Sequence, residues 1–226
     1  MSALESAAAA EPVTSALLVD VQRRLEALYA IEPQAPVTEF LIGEQDAAGL
    51  PGGGSRTLVR HEGDEIAVGV VLDGAVSARL SRLDPREKLD GSNLDAFCTL
   101  TEEVSHFVYL LFCAHSARTV TQLELELQGE VDKYLTVAFL LSQQNDGAVS
   151  ARLRELLFRH YRLGAGLSAE QAQRYHAASE LAYRYCGWLE RTFLRRSSGL
   201  ADLARESRRF YRLGQREKLE RISQLQ

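Results

Sequence analysis

Cysteine is scarce. Three stand in the 226 residues, at Cys98, Cys113 and Cys186, widely spaced and odd in number. No Cys-x-x-Cys pair exists, which leaves zinc ribbons and thioredoxin-type redox chemistry without support. Cys98 and Cys113 fall in apolar stretches, where free cysteine behaves as a small buried hydrophobe in a reduced cytoplasm.

Long hydrophobic runs are missing too. The longest, Phe107 to Ala114, is far short of the roughly 20 residues that span a bilayer. No basic residue precedes Arg23, and residues 1–13 are alanine-rich with Glu5 and Glu11. That start matches neither a signal peptide nor a transit peptide. The expectation is a disordered 1–13 leading into a soluble, cytoplasmic protein that makes no membrane contact.

Complete catalytic signatures are absent. The chain has no His-Glu-x-x-His, no Gly-x-Ser-x-Gly, no Walker lysine and no EF-hand loop. The run Pro51-Gly52-Gly53-Gly54-Ser55 lacks both the P-loop lysine and the spacing of a dinucleotide fingerprint, so it reads as a flexible loop.

What is present is a globular composition, 46% apolar and 25% charged, with charge divided unevenly. Residues 1–150 hold 10 Lys+Arg against 23 Asp+Glu, a net −13. Residues 151–226 hold 16 against 8, a net +8, and 15 of those 16 cations are arginine. Such asymmetry points to an anionic partner or to two halves that attract each other.

Hydrophobic periodicity predicts α+β, predominantly α: a small N-terminal β-hairpin layer and a C-terminal bundle of about five helices. Region 14–93 supplies a helix over Val13 to Ala30, a Pro/Gly connector, strands over Arg56 to Arg60 and Glu65 to Leu72, and a short helix over Ala75 to Leu83. Region 94–226 supplies helices over Asp95–Ser116, Thr121–Gln144, Ala148–Leu163, Ala169–Arg195 and Leu200–Leu213, with a final turn or two. The two regions are read as one continuous domain. Thr121 with Glu124, and Ser168 with Gln171, fit capping boxes. Arg159-His160-Tyr161-Arg162-Leu163-Gly164 is echoed by Arg209-Phe210-Tyr211-Arg212-Leu213-Gly214, each read as a helix C-terminus with a left-handed glycine cap.

The most informative stretch is Thr101-Glu102-Glu103-Val104-Ser105-His106 followed by the apolar run. A helix apolar nearly all round is buried, and a buried carboxylate or imidazole must be paired, liganded or neutralised. Glu102 and Glu103 lie four and three residues before His106, on one helix face. Glu-x-x-His is also the spacing by which diiron bundles present two ligands, though only one copy occurs here. His106, Glu102 and Ser105 are therefore candidate acid/base residues. Glu103, His106, Glu126 and Glu130 are candidate ligands for a divalent metal, with His160 or His176 able to close the site. The bland alternative is a core histidine hydrogen-bonded to Glu102 or Glu103. A Cys113–His106 nucleophile pair fails, since seven helical residues separate them by about 10 Å.

Glu124 to Asp132 reads as a helix whose acids form a solvated face, with Lys133 available for a surface ion pair. The aromatics among the arginines, Tyr161 to Phe193, fit an inward stripe better than a nucleic-acid grip, and the net negative charge also disfavours nucleic acid. The tail follows a three-four apolar pattern with Arg205, Arg208, Arg209 and Arg212 on its other face. Docking on its own body is the default, with self-association or a partner as alternatives.

Two functional readings follow. One is an accessory or interaction protein presenting that arginine face to an acidic protein partner or to its own acidic half. The other is a metal-dependent or acid/base enzyme of hydrolase type centred on Glu103 and His106. The incomplete motifs favour the accessory reading at this level.

Overall fold

The computed structural model describes residues 12–50, 52–62, 65–159, 168–194 and 199–225. Residues 1–11, most of the leader read as disordered, lie outside that set. Helix α1 (Pro12–Tyr29) opens on proline, at the one helical position where a missing N–H costs nothing. Its Leu17, Leu18, Val21 and Leu25 are fully buried at helical spacing, each contributing roughly 1.5–3 kcal/mol of apolar burial. A 3-10 turn (Val37–Phe40) and the short α2 (Glu44–Ala47) lead into the hairpin.

Strands β1 (Arg56–Glu62) and β2 (Glu65–Val71) pair antiparallel, with Arg56 opposite Val71 and Val59 opposite Val68. A lone hairpin is marginal in water. This one packs on α4 (Leu94–His115) and buries Val70 and Val71. Between them, α3 (Gly74–Arg82) starts at Asp73, whose carboxylate accepts from the Ala75 N–H at 2.8 Å.

The rest is helical: α5 (Gln122–Gln144), α6 (Leu153–Arg159), α7 (Ala169–Leu189) running into one π-helical turn (Glu190–Leu194), α8 (Leu200–Arg212) and α9 (Gln215–Ser223). The fold is predominantly α with one small β-hairpin. No helix among the described residues is long and apolar enough to cross a membrane. The Ser168–Gln171 capping box is complete, and Thr121 accepts from the Glu124 N–H. The helix expected over 148–163 is seen over Leu153–Arg159. Residues 160–167, with His160 and most of the first echo, lie outside the described set.

Two expectations are corrected. Gly214 is no left-handed cap: its φ is −76°, and it begins α9, with Glu217 accepting from its N–H at 3.0 Å. The acid-rich stretch is no solvated face. α5 lies between α4 and α7, and Glu124, Glu126, Glu130, Asp132 and Lys133 are all buried. The centre of the bundle is thus shared between α4 and α5.

Two of these buried groups, Glu124 and Asp132, are held by hydrogen bonds on every side. Asp132 accepts from Tyr29, from Ser105 at 2.5 Å and from Gln128 at 2.8 Å. Burial nevertheless outweighs these bonds and pushes its carboxyl up to about 6. Lys218 of α9, 0% exposed, donates to Gln128 Oε1 at 2.6 Å and to the Tyr109 hydroxyl at 2.8 Å. Tyr109 in turn donates to Glu124, which also receives Arg118 at 2.8 Å and the Gln215 N–H at 3.1 Å. The tail is pinned to the core through this chain of polar contacts.

Leu203, Phe210, Tyr211 and Ile222 turn inward, and Phe210 stacks on Tyr185 at 3.9 Å between ring centroids. The tail's apolar stripe is therefore covered by its own body. Two of its arginines meet carbonyls rather than the acids of residues 1–150 expected from charge counting. Arg208 donates to Leu28 O at 2.8 Å, and Arg212 to Tyr29 O and Ala30 O at 3.1 and 3.2 Å. They close the end of α1, where unpaired carbonyls concentrate negative charge. Arg205 pairs with Asp202 of its own helix at 3.0 Å.

Candidate metal centre

α4 and α5 run side by side after a short link at 116–121, so the last turns of one face the first turns of the other. His106 of α4 therefore meets the Glu126–Glu130 turn of α5. A mid-helix glycine makes this possible. A Cβ on Gly129 would stand 2.8 Å from His106 Nε2 and 3.5 Å from Glu102 Cγ. Glycine inside a helix costs about 1 kcal/mol relative to alanine, and here it gives the imidazole its space.

His106 is buried, at 6% exposure, yet no carboxylate holds it by a hydrogen bond. Its Nδ1 stands 3.9 Å from Glu103 Oε2 and its Nε2 3.7 Å from Glu126 Oε2, both beyond hydrogen-bond range. The expected bond to Glu102 or Glu103 is thus not formed. Among the described residues His106 Nε2, Glu126 Oε2 and Glu130 Oε2 are buried without any hydrogen-bond partner. Glu102, His106 and Glu126 each bring one donor atom to within 4.8 Å of the others.

Three buried polar atoms without a hydrogen-bond partner in one cluster are expensive unless something completes them. Two bonds of about 2.1 Å opening at the tetrahedral angle span about 3.4 Å, a little under the 3.7 Å between His106 Nε2 and Glu126 Oε2. A divalent cation has the charge and the reach. One imidazole with two carboxylates suits zinc, manganese or iron(II) better than a soft, thiol-seeking metal.

The cluster is electrostatically tense. Burial, then the charge of Glu102, pushes Glu103 up to about 8 against a hydrogen bond from Thr57. Burial and Glu102 likewise raise Glu126 to about 8, opposed by Arg174, whose Nε lies 3.8 Å away. Burial raises Glu130 against the pull of Lys133. For His106, burial lowers the pKa, while Glu102 works the other way. Burial alone would lower Lys133, but Glu102 and Glu130 overcome it and hold the ammonium charged.

His106 and Glu126 lie at the floor of an open cleft of about 1220 Å³. Its walls include Thr57 and Val68 of the hairpin and Arg174 and Tyr175 of α7. Glu103 also faces this space, so the cluster can be reached from solvent.

The sequence candidates are thus redistributed. Glu102, read as an acid/base residue, stands with the metal donors, together with His106 and Glu126. Glu103, read as a ligand, is turned to Thr57, whose hydroxyl donates to it at 2.8 Å. Glu130 sits at the edge, bonded to Lys133 at 2.9 Å. Ser105 points away, to Asp132. His176 is exposed on α7 and outside the donor group, and His160 is not among the described residues. Thr57, Gly129 and Arg174 were not singled out from sequence, and Tyr175 only as part of an inward aromatic stripe. Only Gly129 carried a signal, as a lone glycine inside a long helical pattern.

Replacing Gly129 with alanine tests the fit. The expected outcome is a tenfold or greater loss of cation affinity, the order found when groups that orient metal ligands are removed. Thermal stability should fall as well, because the added Cβ forces the buried imidazole to shift at about 1–3 kcal/mol, more than the roughly 1 kcal/mol that alanine gains as a helix former. Unchanged cation binding in G129A would show that His106 does not need this space.

No protein-family model, no curated protein and no solved structure matches the chain.

Proposed function

We propose that the chain is a divalent-cation-dependent enzyme of hydrolase type, with its centre at the floor of the α4–α5 cleft. The observation that carries this reading is the pair His106 Nε2 and Glu126 Oε2. Both are buried and unpartnered, and they stand 3.7 Å apart with Glu102 beside them. A bound cation would supply Lewis acidity to an oxygen of the substrate or of water. Glu103 supplies the proton. Its pKa of about 8 keeps it largely protonated at neutral pH, and Thr57 fixes its orientation on the cleft wall. A carboxyl tuned in this way is suited to general-acid work.

The test compares Glu103→Gln with the unmodified protein on reporter esters, amides and phosphoesters, with Mn²⁺ or Zn²⁺ present. Turnover should require the cation and fall by about 10²–10⁴ in E103Q, while cation affinity changes little. Cation-independent turnover, or full activity in E103Q, contradicts the assignment.

The arginine face supports a second reading, an accessory role toward an acidic protein. Arg205 and Arg209 are exposed, whereas Arg208 and Arg212 are engaged with the end of α1. Salt-sensitive binding of an acidic polypeptide, lost in an Arg205→Gln and Arg209→Gln double variant, would favour that role.

A further inference from the structure

Lys133 is the residue of the cluster that the proposed chemistry does not use. Its ammonium nitrogen lies 2.9 Å from Glu130 Oε1 and 3.5 Å from Glu102 Oε2. Carboxylates on neighbouring helices with a shared glutamate are how bundles hold two metal ions, about 3.5–4 Å apart. Here Glu102 faces both His106 and Lys133, and Glu130 adds the further carboxylate that a second ion would need. The second position therefore already holds a covalently tethered positive charge.

We infer that the centre takes one divalent cation per chain, with Lys133 standing where a second would bind. This rests on the cation-binding reading above and sharpens it. The ammonium is well placed to stay. It is buried, and two carboxylates hold it. The centre then offers its substrate one Lewis acid beside a fixed ammonium, instead of the symmetric two-ion clamp of many phosphoester-cleaving sites.

The experiment is equilibrium dialysis against Mn²⁺ followed by metal analysis and electron paramagnetic resonance, on the full chain and on Lys133→Ala. The full chain should bind one ion and give the spectrum of isolated Mn²⁺. K133A, with Glu102 and Glu130 released, should bind a second ion and show a spin-coupled signal. Two ions in the unmodified chain overturn the inference, as does a folded K133A that still binds one. Should K133A not fold, the count and spectrum of the unmodified chain decide the matter. No ion in the unmodified chain would instead remove the cation-binding reading on which this rests.

Discussion

Glu126→Gln is expected to weaken cation binding by about a hundredfold or more and, in the absence of cation, to make the protein more stable at pH 8. Both effects follow from the burial of one carboxylate and its position beside His106. Glu126 is 7% exposed, and Oε2 has no hydrogen-bond partner among the described residues. Burial and Glu102 lift its pKa from 4.5 to about 8. A carboxyl raised in the folded state binds a proton that the unfolded chain has released. Its contribution to stability is therefore complete below about pH 4.5 and lost as pH climbs through about 8. Glutamine keeps the shape and avoids the buried charge. Each kcal/mol so relieved should raise Tm by about 2–4 °C for a chain of this size. Cation affinity should fall by about a hundredfold or more, since a ligand counts for at least as much as the groups that orient it. In the unmodified protein the cation displaces protons, so affinity should increase from pH 6 to pH 8. Thermal melts at both pH values, with and without Mn²⁺, measure all of this. If E126Q were less stable than the unmodified protein at pH 8 without cation, Glu126 would be a structural residue.

Lys218→Ala carries the second large effect, a stability loss of about 2–5 kcal/mol, the range for truncating a long, fully buried side chain to alanine. Lys218 is fully buried, and its two hydrogen bonds tie α9 to Tyr109 and Gln128. Truncation leaves a cavity and strips both groups of a partner. Burial lowers the Lys218 pKa to about 7, although Glu124 and Asp132 pull it upward. Here the sign is reversed from Glu126. Between about pH 7 and 10.5 the unfolded chain holds a proton that the folded one does not, so stability from this group rises with pH. The deficit of K218A relative to the unmodified protein should accordingly widen from pH 7 to pH 9. Urea denaturation at the two pH values provides the check. A deficit under about 1 kcal/mol, typical of a surface ion pair, would mean that the tail is held by its apolar contacts alone.

The helices were legible because their apolar spacing is regular. Leu17, Val21 and Leu25 mark one face of α1, and Thr121 and Ser168 announce helix starts. The burial of His106 was legible for the same reason, from the apolar residues that follow it. The burial of Glu124 to Lys133 was not. Glutamates at helical spacing look alike whether they face water or a neighbouring imidazole, and only the packing of α5 between α4 and α7 distinguishes the two. Spacing on one helix also does not separate Glu102 from Glu103. Both can reach His106, and what separates them is Thr57, from a strand 46 residues away in sequence. The tail arginines followed the same pattern: charge counting pointed to acids, while Arg208 and Arg212 meet carbonyls at the end of α1. Lys218 was hidden among arginines, and nothing local indicates that it points inward.

The most direct measurement is anomalous scattering from crystals of the protein grown or soaked with Mn²⁺, recorded at neutral to slightly alkaline pH. The account predicts one strong peak between α4 and α5, about 2.0–2.3 Å from His106 Nε2 and from carboxylate oxygens of Glu126 and Glu102. A cluster free of any peak at saturating Mn²⁺, with His106 Nε2 hydrogen-bonded to a carboxylate instead, would contradict it.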